Sequence, residues 1–498
     1  MSDYILALDQ STTSSKAKIV NKNGEVLAEK NLKHRQIYPR PGWVEHDPLE
    51  IYENVKKILR DILSKAGIAP FEISVLSITN QRETVLLWDK SGNPVYNAIV
   101  WQCRRTVETC QFLKSNGYEN VIRDKTGLII DPYFSATKIR WILDNVKGLQ
   151  KRAEDGEILA GTIDSWLIYN LSGGKDHVCD FTNASRTMLF NIKELQWDEE
   201  LLKIFNIPKF IMPQVKFSDE IFSLTKKGEL FDVEIPISGV IGDSNGALFG
   251  QCCFESGMTK ATFGTGTSVM MFTGGKLIQP TNGIIASVAW ALENKVEYAI
   301  EGIIISTGDT LNWLIENLNL FRDYKEIDRL AERLADNEGV YLVPAFGSLG
   351  IPYWDMDARA AILGMTRNTG KEHIARAAIE SVAYQVKDAV DTMSLVSSII
   401  PKELRSDGGL IKSEVFMQFQ SDILEIPVVK TYLDDLSLMG SSYIAGLAVG
   451  IWKSREDIVK LRTNGKKYFP KLSIDMKNRY YNGWKDSVQR VLTSYKKI

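Results

Sequence analysis

The sequence predicts an α/β protein of two domains with related topology, residues 1–248 and residues 249–498. Its 498 residues exceed what one ordinary hydrophobic core organises, so two domains of about 250 residues are expected. Strand-like and helix-like segments alternate along the chain, which is typical of α/β proteins. A strand, a small polar turn and a second strand also stand near the start of each half, and this repetition indicates two related domains.

The composition argues against several classes of partner. The chain is 44% hydrophobic and 24% charged with a formal net charge of −2, which gives no electrostatic footprint for nucleic acid or an anionic membrane. No apolar run is long enough to span a bilayer and no signal segment stands at the N-terminus, so we expect a cytoplasmic protein without membrane insertion. Five cysteines without CxxC spacing and four unpaired histidines predict reduced, buried thiols and no zinc site.

The first half opens with strands and one well-marked helix. The predicted strands lie at residues 4–8, 16–20, 25–29, 73–79 and 85–88. Asn23-Gly24 is a strong hairpin signal between the second and third strands. A helix begins after Asp47-Pro48, because apolar residues then recur at helical spacing at Ile51, Val55, Ile58, Leu59 and Ile62.

The second half repeats the pattern. A strand over residues 240–242 leads to Asp243 and a small-residue helix through Gly250, and residues 257–274 again read as strand, polar turn and strand. Residues 373–393 carry apolar side chains at helical spacing, so one face of that helix is predicted to be core. Residues 441–452 are rich in Gly, Ala and Ser, which permits close approach to another element.

The turn after the first strand has the composition of a phosphate site. Asp9 precedes a run of hydroxyl side chains from Ser11 to Ser15, and Lys16 follows. Small hydroxyls at a hairpin tip can direct several N–H and O–H donors at phosphate oxygens, and Asp9 can hold Mg²⁺ directly or through water. A Gly-Lys-Ser/Thr loop is absent, so an exposed polar hairpin is the alternative.

A second hydroxyl-rich turn supports the nucleotide interpretation. In residues 262–267, Gly264 and Gly266 flank Thr265 and allow backbone to approach a ligand closely. Two such hairpins, one per domain, could hold a triphosphate from opposite sides of a cleft. Asp407-Gly408-Gly409 follows a predicted strand and could receive the nucleoside.

A group of polar and aromatic residues suggests a polyol as the second substrate. Arg82 and Glu83 follow a strand end, where α/β sheets tend to place ligand groups. Trp101 could cover the C–H face of a polyol whose hydroxyls bond the two charges, and Tyr133 could add a hydroxyl. The alternative is that the adjacent charges form a solvated surface pair.

Asp243 is the candidate proton acceptor. Transfer of a γ-phosphoryl group to an alcohol needs a carboxylate that accepts the hydroxyl proton. Asp243 ends a strand where the chain passes between the halves, so we expect it to face the cleft. A role as a helix N-cap is an alternative that is compatible with catalysis.

The chain resembles the FGGY family of carbohydrate kinases, in its glycerol-phosphorylating branch, over nearly its whole length. The stretches that carry the resemblance are LDQSTTSSKA, PGWVEHDP, NQRET, AIVWQCRRT, TNASRTMLFNI, GDSNGALFGQ, PYWD, LRSDGG and FMQFQSDIL. The resemblance implies two actin-like (ribonuclease H-like) ATPase domains with an interdomain catalytic cleft. It also implies ATP- and Mg²⁺-dependent conversion of glycerol to glycerol 3-phosphate. We further expect a homodimer or homotetramer.

The resemblance also implies roles for single residues. Those matching polyol-binding positions are Arg82, Glu83, Trp101, Tyr133, Asp243 (the general base), Ser244 and Ser268. Those matching nucleotide-binding positions are Thr12, Thr13, Ser14, Lys16, Thr265, Gly308, Asn312, Gly409 and Ser413. Asp9 remains the candidate metal ligand, beside the phosphates.

Several positions depart from the family pattern. Ser244 stands where Gln is usual and Ser268 where Phe usually lines the polyol's carbon backbone. Lost apolar contact of this kind is worth about 1–3 kcal/mol of discrimination, so a roomier pocket that favours another polyol or a small sugar stays open. Asn312 replaces Gln and residues 410–414 replace Ala and paired Asn, which leaves the nucleotide base open. A non-catalytic polyol sensor is the third alternative, although the retained acids argue against it.

The loop through which some bacterial members bind fructose 1,6-bisphosphate, Gly-Gly-Thr-Arg, is not found. Lys226-Lys227-Gly228 is a poor substitute for it. Regulation of that kind is therefore not predicted.

Overall fold

The computed structural model describes residues 3–462 and 465–493. The strands are β1 (Tyr4–Gln10), β2 (Ser14–Asn21), β3 (Val26–Lys33), β4 (Glu45–His46), β5 (Ile73–Asn80), β6 (Val85–Asp89), β7 (Ala98–Ile99), β8 (Ile158–Thr162), β9 (Val178–Asp180), β10 (Phe190–Asn191), β11 (Gln196–Trp197), β12 (Gln214–Lys216), β13 (Ser223–Leu224), β14 (Pro236–Ile237), β15 (Ile241–Gly242), β16 (Thr259–Phe263), β17 (Thr267–Gly274), β18 (Ile285–Leu292), β19 (Lys295–Ile304), β20 (Tyr341–Val343), β21 (Ala361–Leu363), β22 (Leu404–Gly408), β23 (Val428–Lys430) and β24 (Lys466–Tyr468).

The α-helices are α1 (Pro48–Ala66), α2 (Val107–Ser115), α3 (Glu119–Thr126), α4 (Ser135–Asn145), α5 (Leu149–Glu154), α6 (Ile163–Leu171), α7 (Phe181–Ala184), α8 (Glu199–Ile204), α9 (Asp243–Gly250), α10 (Gly308–Glu316), α11 (Tyr324–Ala331), α12 (Lys371–Ser397), α13 (Glu414–Leu424), α14 (Leu436–Ala448), α15 (Arg455–Leu461) and α16 (Ile474–Val491). None of the helices within residues 3–462 and 465–493 combines the length and apolar character needed to cross a bilayer.

Each half is organised around a seven-stranded sheet. The first has the order β13-β14-β5-β1-β2-β3, with β15 beside β5, and the second has the order β18-β19-β17-β16-β22-β23-β24. In the first, β1 pairs antiparallel with β2 and parallel with β5. In the second, β16 pairs antiparallel with β17 and parallel with β22. The two sheets therefore share one pattern, which agrees with the repetition in the sequence.

Alternating residues of β1 pack on opposite faces of the first sheet, as strand geometry requires. Leu6 and Leu8 belong to the core that includes the apolar face of α1. Ile5 and Ala7 belong to a core that includes Leu438 and Ile444 of α14. Helix α14 lies in the second half of the chain, so the two halves share one hydrophobic core.

Helices α9 and α14 cross at very short range, which glycine makes possible. A Cβ on Gly440 would lie 1.9 Å from the carbonyl oxygen of Gly246, and one on Gly250 would lie 2.3 Å from that of Leu436. Neither position can accept a side chain without backbone displacement. This crossing joins the helix that starts at Asp243 to the helix that covers the first sheet.

The predicted elements occur with shifted boundaries. The helix predicted over residues 441–452 runs over 436–448, because Gly450 has a left-handed φ of 79° and the Ile451 N–H turns back to the Gly446 oxygen. The helix predicted over 373–393 extends to Lys371–Ser397. All five cysteines are free and buried, as expected.

Candidate active site

The first hairpin, between β1 and β2, places its hydroxyl-bearing tip beside Trp101. Ser11 closes the tip by donating its N–H to the Ser14 oxygen at 2.9 Å, and Thr13 is exposed while Ser14 is buried. The Thr12 hydroxyl accepts a hydrogen bond from Trp101 Nε1 at 2.9 Å. The hairpin is therefore tied to the predicted polyol wall, which argues against a merely exposed polar turn.

Asp9 lies at the end of β1 with an unsatisfied carboxylate. Within the described part of the chain, its Oδ1 is buried without a hydrogen-bond partner. Burial, followed by the charges of Asp243 and Asp435, raises the pKa of Asp9 to about 7. A buried acceptor without a donor, close to a second carboxylate, suits a hard divalent cation that keeps several waters and phosphate ligands.

Lys16 is held from the other half of the chain. Its ammonium group and that of Lys18 both pair with Asp435, the residue before α14. Burial alone would raise the pKa of Asp435, but the hydrogen bonds and charges of the two lysines bring it below its ordinary value. The Lys16 ammonium group, which the sequence predicts to contact phosphate, is therefore engaged in an ion pair with Asp435 in this structure.

The second hairpin is docked on the N-terminus of α10. The Gly308 N–H donates to the Gly264 oxygen at 3.1 Å, and the Thr307 N–H donates to the Thr265 oxygen at 3.0 Å. A Cβ on Gly308 would lie 2.4 Å from the Gly264 oxygen, so only glycine fits there. Asn312 follows one turn later, and its Oδ1 accepts from the Tyr324 hydroxyl at 2.6 Å.

The predicted nucleoside side lies after β22. Gly408 has a φ of 98°, and a Cβ there would lie 2.2 Å from the Phe263 oxygen, whereas nothing lies within 4 Å of a Cβ on Gly409. Ser413 caps α13, with its hydroxyl accepting from the Phe416 N–H at 3.1 Å. Gly409 therefore borders open space, while the Ser413 side chain is used locally.

Arg82 and Glu83 are buried, so the solvated surface pair is excluded. Their side chains are 3% and 1% exposed. Arg82 Nε lies 3.2 Å from Asp243 Oδ1, and its other nitrogens donate to the two oxygens of Glu301 at 2.8 and 3.1 Å. Glu83 has a φ of 60°. Arg186 Nε donates to Glu83 Oε1 at 2.5 Å.

Glu301 and Arg186 are the functional residues that sequence reasoning missed. Glu301 lies fully buried on β19, with Arg186 Nη1 2.9 Å from its Oε2. Burial alone would raise the pKa of Glu301, but Arg82 and Arg186 hold it well below its ordinary value. One carboxylate from the second half thereby fixes two guanidinium groups of the first. The sequence carried a signal for both, because each is the single charged residue in an otherwise uncharged stretch, residues 298–305 and residues 181–192.

The aromatic wall is formed by Trp101 and Tyr133. Their ring centroids are 5.4 Å apart with an edge-to-face angle of 61°. Burial, together with the charge of Glu83, raises the pKa of the Tyr133 hydroxyl well above its ordinary value. That hydroxyl therefore stays protonated and can donate or accept a hydrogen bond.

The two serine departures both lie next to the charged residues. Ser268 Oγ donates to Glu301 Oε1 at 2.7 Å and accepts from Lys260 Nζ at 3.3 Å. The Ser244 N–H donates to Asp243 Oδ1 at 2.6 Å. Ser268 thus belongs to the buried polar network rather than to an apolar wall.

Asp243 opens α9 and reaches the solvent-accessible part of the site. Its side chain is 38% exposed, and Gly242 occupies the N-cap position. Asp243 is therefore the first residue of α9 and not its N-cap, so the N-cap alternative is wrong. Asp243 has access to a substrate, and its Oδ1 lies within ion-pair distance of Arg82 Nε, which has no hydrogen-bond partner among the described residues.

Comparison with known proteins identifies relatives over nearly the full chain. Residues 4–250 match the model for the FGGY family of carbohydrate kinases, N-terminal domain, and residues 259–449 match that for the C-terminal domain. Glycerol kinase 2 of Thermotoga maritima is 49% identical over 490 residues, covering 98% of this chain and 99% of that protein. Glycerol kinase of Caldanaerobacter subterraneus is 48% identical over 493 residues, covering 99% of each.

Solved structures match the fold. The crystal structure of Plasmodium falciparum glycerol kinase with ADP has a TM-score of 0.93 and 37% identity, and the match covers 98% of both chains. Gluconate kinase from Lactobacillus acidophilus has a TM-score of 0.85 at 24% identity, covering 96% of this chain and 95% of that one. The second similarity concerns the fold alone.

Proposed function

The chain belongs to the FGGY family of carbohydrate kinases, and we propose that it transfers the γ-phosphoryl group of ATP to glycerol with Asp243 as proton acceptor. The products are glycerol 3-phosphate and ADP. Full-length similarity to glycerol kinases at 48–49% identity supports the reaction. The observation that carries the residue assignment is the accessible Asp243 carboxylate, held 3.2 Å from buried Arg82.

Glycerol binding follows from the chemistry of the first-half residues. Carboxylate and guanidinium groups of Glu83 and Arg82 can bond glycerol hydroxyls, the Tyr133 hydroxyl can add a third contact, and the Trp101 ring can cover the C–H face. The reacting hydroxyl gives its proton to an Asp243 oxygen as its own oxygen bonds to phosphorus. Glu301 acts indirectly, because it fixes Arg82.

Nucleotide binding is assigned to the two hairpins and the segment after β22. Thr12, Thr13, Ser14, Thr265 and Gly308 would hold phosphate oxygens, and Gly409, Asn312 and Ser413 would lie on the nucleoside side. Lys16 would reach phosphate after exchanging its pairing with Asp435. Mg²⁺, held by Asp9, would neutralise charge on the phosphates.

Asp243→Asn tests the mechanism. Since the carboxamide keeps the shape but cannot accept the proton, kcat should fall about 10²–10⁴-fold while the glycerol KM changes little. Exposed Asp232→Asn is the matched control and should leave both constants unchanged. Both enzymes are assayed for ATP-dependent phosphorylation of a polyol panel, and wild-type turnover in Asp243→Asn would refute the assignment.

A related polyol or small sugar as preferred substrate is the second candidate, and the small side chain of Ser268, which lies beside Glu301 at the site, favours it. Ser268→Phe should lower the glycerol KM by roughly tenfold, since a ring restores apolar contact, and should exclude larger polyols. Ser268→Ala is the control that removes the hydroxyl without adding the ring. An unchanged glycerol KM in Ser268→Phe would contradict the roomier pocket.

We also propose the domain division, the assembly and the location that the sequence predicts. Division at residue 248, assembly as a homodimer or homotetramer and a cytoplasmic location remain predictions. A non-catalytic sensor is disfavoured, because relatives over the whole chain are kinases and Asp9, Arg82 and Asp243 are all present.

A further inference from the structure

A cavity of about 350 Å³ lies beside β22, β23 and β24, outside the candidate active site. Four cationic side chains line it, Lys402, Arg405, Arg462 and Lys467, together with the carboxylate of Glu403. Its size falls within the range of small-molecule sites in proteins, which runs from about 300 to 1,000 Å³.

Each oxygen of the carboxylate in the cavity already accepts a hydrogen bond. Glu403 Oε1 accepts from Arg405 Nε at 2.7 Å, and its Oε2 accepts from Lys467 Nζ at 3.1 Å. Lys402 turns to Glu255 at 3.2 Å, in a pair whose two side chains are each 66% exposed. Within the described residues, Glu403 forms these ion pairs with Arg405 and Lys467 and acts on the fourth cation only at longer range.

Arg462 is that fourth cation. In the described part of the chain, its Nε is buried without a hydrogen-bond partner, and no carboxylate lies within ion-pair distance of its guanidinium. Burial, and then the charge of Arg405, lowers the pKa of Arg462. An unpaired buried donor beside a like charge is unfavourable, and a bound anion would relieve both defects.

We propose that this cavity binds a small anion of the phosphate class, with Arg462 as its main ligand and Lys467 and Lys402 at the rim. A planar guanidinium presents paired N–H donors that match phosphate oxygens, and the flexible lysines add charge. The anion would compensate the repulsion between Arg462 and Arg405. Glu403 stays paired with Arg405 and Lys467.

The cavity lies at the opposite end of α9 from Asp243. Arg405 donates to the backbone oxygens of Gln251 and Cys252, which directly follow α9. The proposed anion is therefore distinct from the phosphates of ATP, and a test has to fill the active site first.

The test is calorimetric titration of inorganic phosphate into enzyme saturated with glycerol and a non-hydrolysable ATP analogue. Wild type should bind one phosphate per chain in addition to the nucleotide. Arg462→Gln should weaken that binding at least tenfold. Lys460→Gln is the matched control, because Lys460 carries the same charge nearby but pairs with Asp457 at 3.0 Å and does not line the cavity.

A separate measurement checks that the variants are folded. Among the described residues, Arg462 Nε has no hydrogen bond to lose, so Arg462→Gln should be at least as heat-stable as wild type in phosphate-free buffer, with the same kcat. Lys467→Gln removes a charge from a side chain that is 51% exposed, and should weaken phosphate binding about two- to fivefold without a risk of misfolding.

Parallel titrations with pyrophosphate and glycerol 2-phosphate identify the source. If pyrophosphate binds more tightly than inorganic phosphate, the natural ligand is a polyphosphate. If glycerol 2-phosphate binds more tightly, it is a phosphomonoester. If all three bind equally, it is free phosphate. Absence of saturable binding to wild type, or equal binding to wild type and Arg462→Gln, would overturn the proposal.

Discussion

Replacing Glu301 by glutamine tests whether one buried carboxylate organises the substrate site. Its oxygens lie 2.8 Å from Arg82 Nη2 and 2.9 Å from Arg186 Nη1. Glutamine keeps the shape, but its amide group would place N–H donors against guanidinium N–H donors. Two positive charges would then lie buried with Glu83 as their remaining close buried acid.

The magnitude follows from the geometry. At an effective dielectric constant of about 20 and charge centres about 4 Å apart, each ion pair is worth about 4 kcal/mol before desolvation is considered. Removal of one member of a buried pair typically destabilises a protein by about 3–5 kcal/mol. Taking about 2–4 °C per kcal/mol, Tm should fall by about 6–20 °C.

Catalysis should suffer as well. Arg82, released from Glu301, would pair more strongly with Asp243 and compete with the proton for that carboxylate. We expect kcat to fall at least about tenfold and the glycerol KM to rise. Both constants come from a coupled ADP assay with glycerol varied at saturating ATP, and Tm from a thermal scan.

Glu297→Gln is the matched control on the same strand. Glu297 accepts from Trp290 and pairs with Arg455, in an ion pair whose side chains are 19% and 26% exposed. We expect this change to cost about 1 kcal/mol and to leave kcat unaltered. A Glu301→Gln enzyme with wild-type Tm, kcat and KM would refute the reasoning.

The other predictions concern packing and pH. Gly440→Ala should destabilise the protein by about 3 kcal/mol, because its Cβ would lie 1.9 Å from the Gly246 oxygen. Gly347→Ala is the control, since nothing lies within 4 Å of a Cβ there, and it should change the denaturation midpoint little. Burial raises the pKa of Asp198, but hydrogen bonds led by those from Asn191 and Lys125 lower it overall. Its stabilisation is therefore present above the unfolded value of about 3.9 and lost as pH falls through the folded pKa. Asp198→Asn should lower Tm equally from pH 7 to about pH 5, and the gap should narrow below pH 4; a gap independent of pH would contradict this.

Local signals carried much of the fold and the site. The hairpin tips, the strand that ends before Arg82 and the helix that begins at Asp243 are visible in short stretches of sequence, because turn chemistry and periodicity act over a few residues. Arg82 pairs with a residue 219 positions later, Glu301, and no local rule connects them.

The same limit explains Lys16 but not Ser413, whose partner is local. Its neighbours in sequence predict that Lys16 contacts phosphate, and they give no sign of Asp435, its partner in the structure, which lies 419 positions away. Its position predicts that Ser413 lies on the nucleotide side, and in the structure its hydroxyl also caps α13. For Lys16, tertiary packing decides which partner the side chain finds, whereas Ser413 finds its partner three residues along the chain.

The cover that α14 gives to the first sheet has a consequence for synthesis on the ribosome. Ile5 and Ala7 need Leu438 and Ile444 to complete their core. Translation of residues 251–435 takes about 10–40 s at 5–20 residues per second, and during that time one face of the finished N-terminal sheet stays uncovered. The nascent chain thus carries an apolar surface suited to a chaperone until its last third emerges.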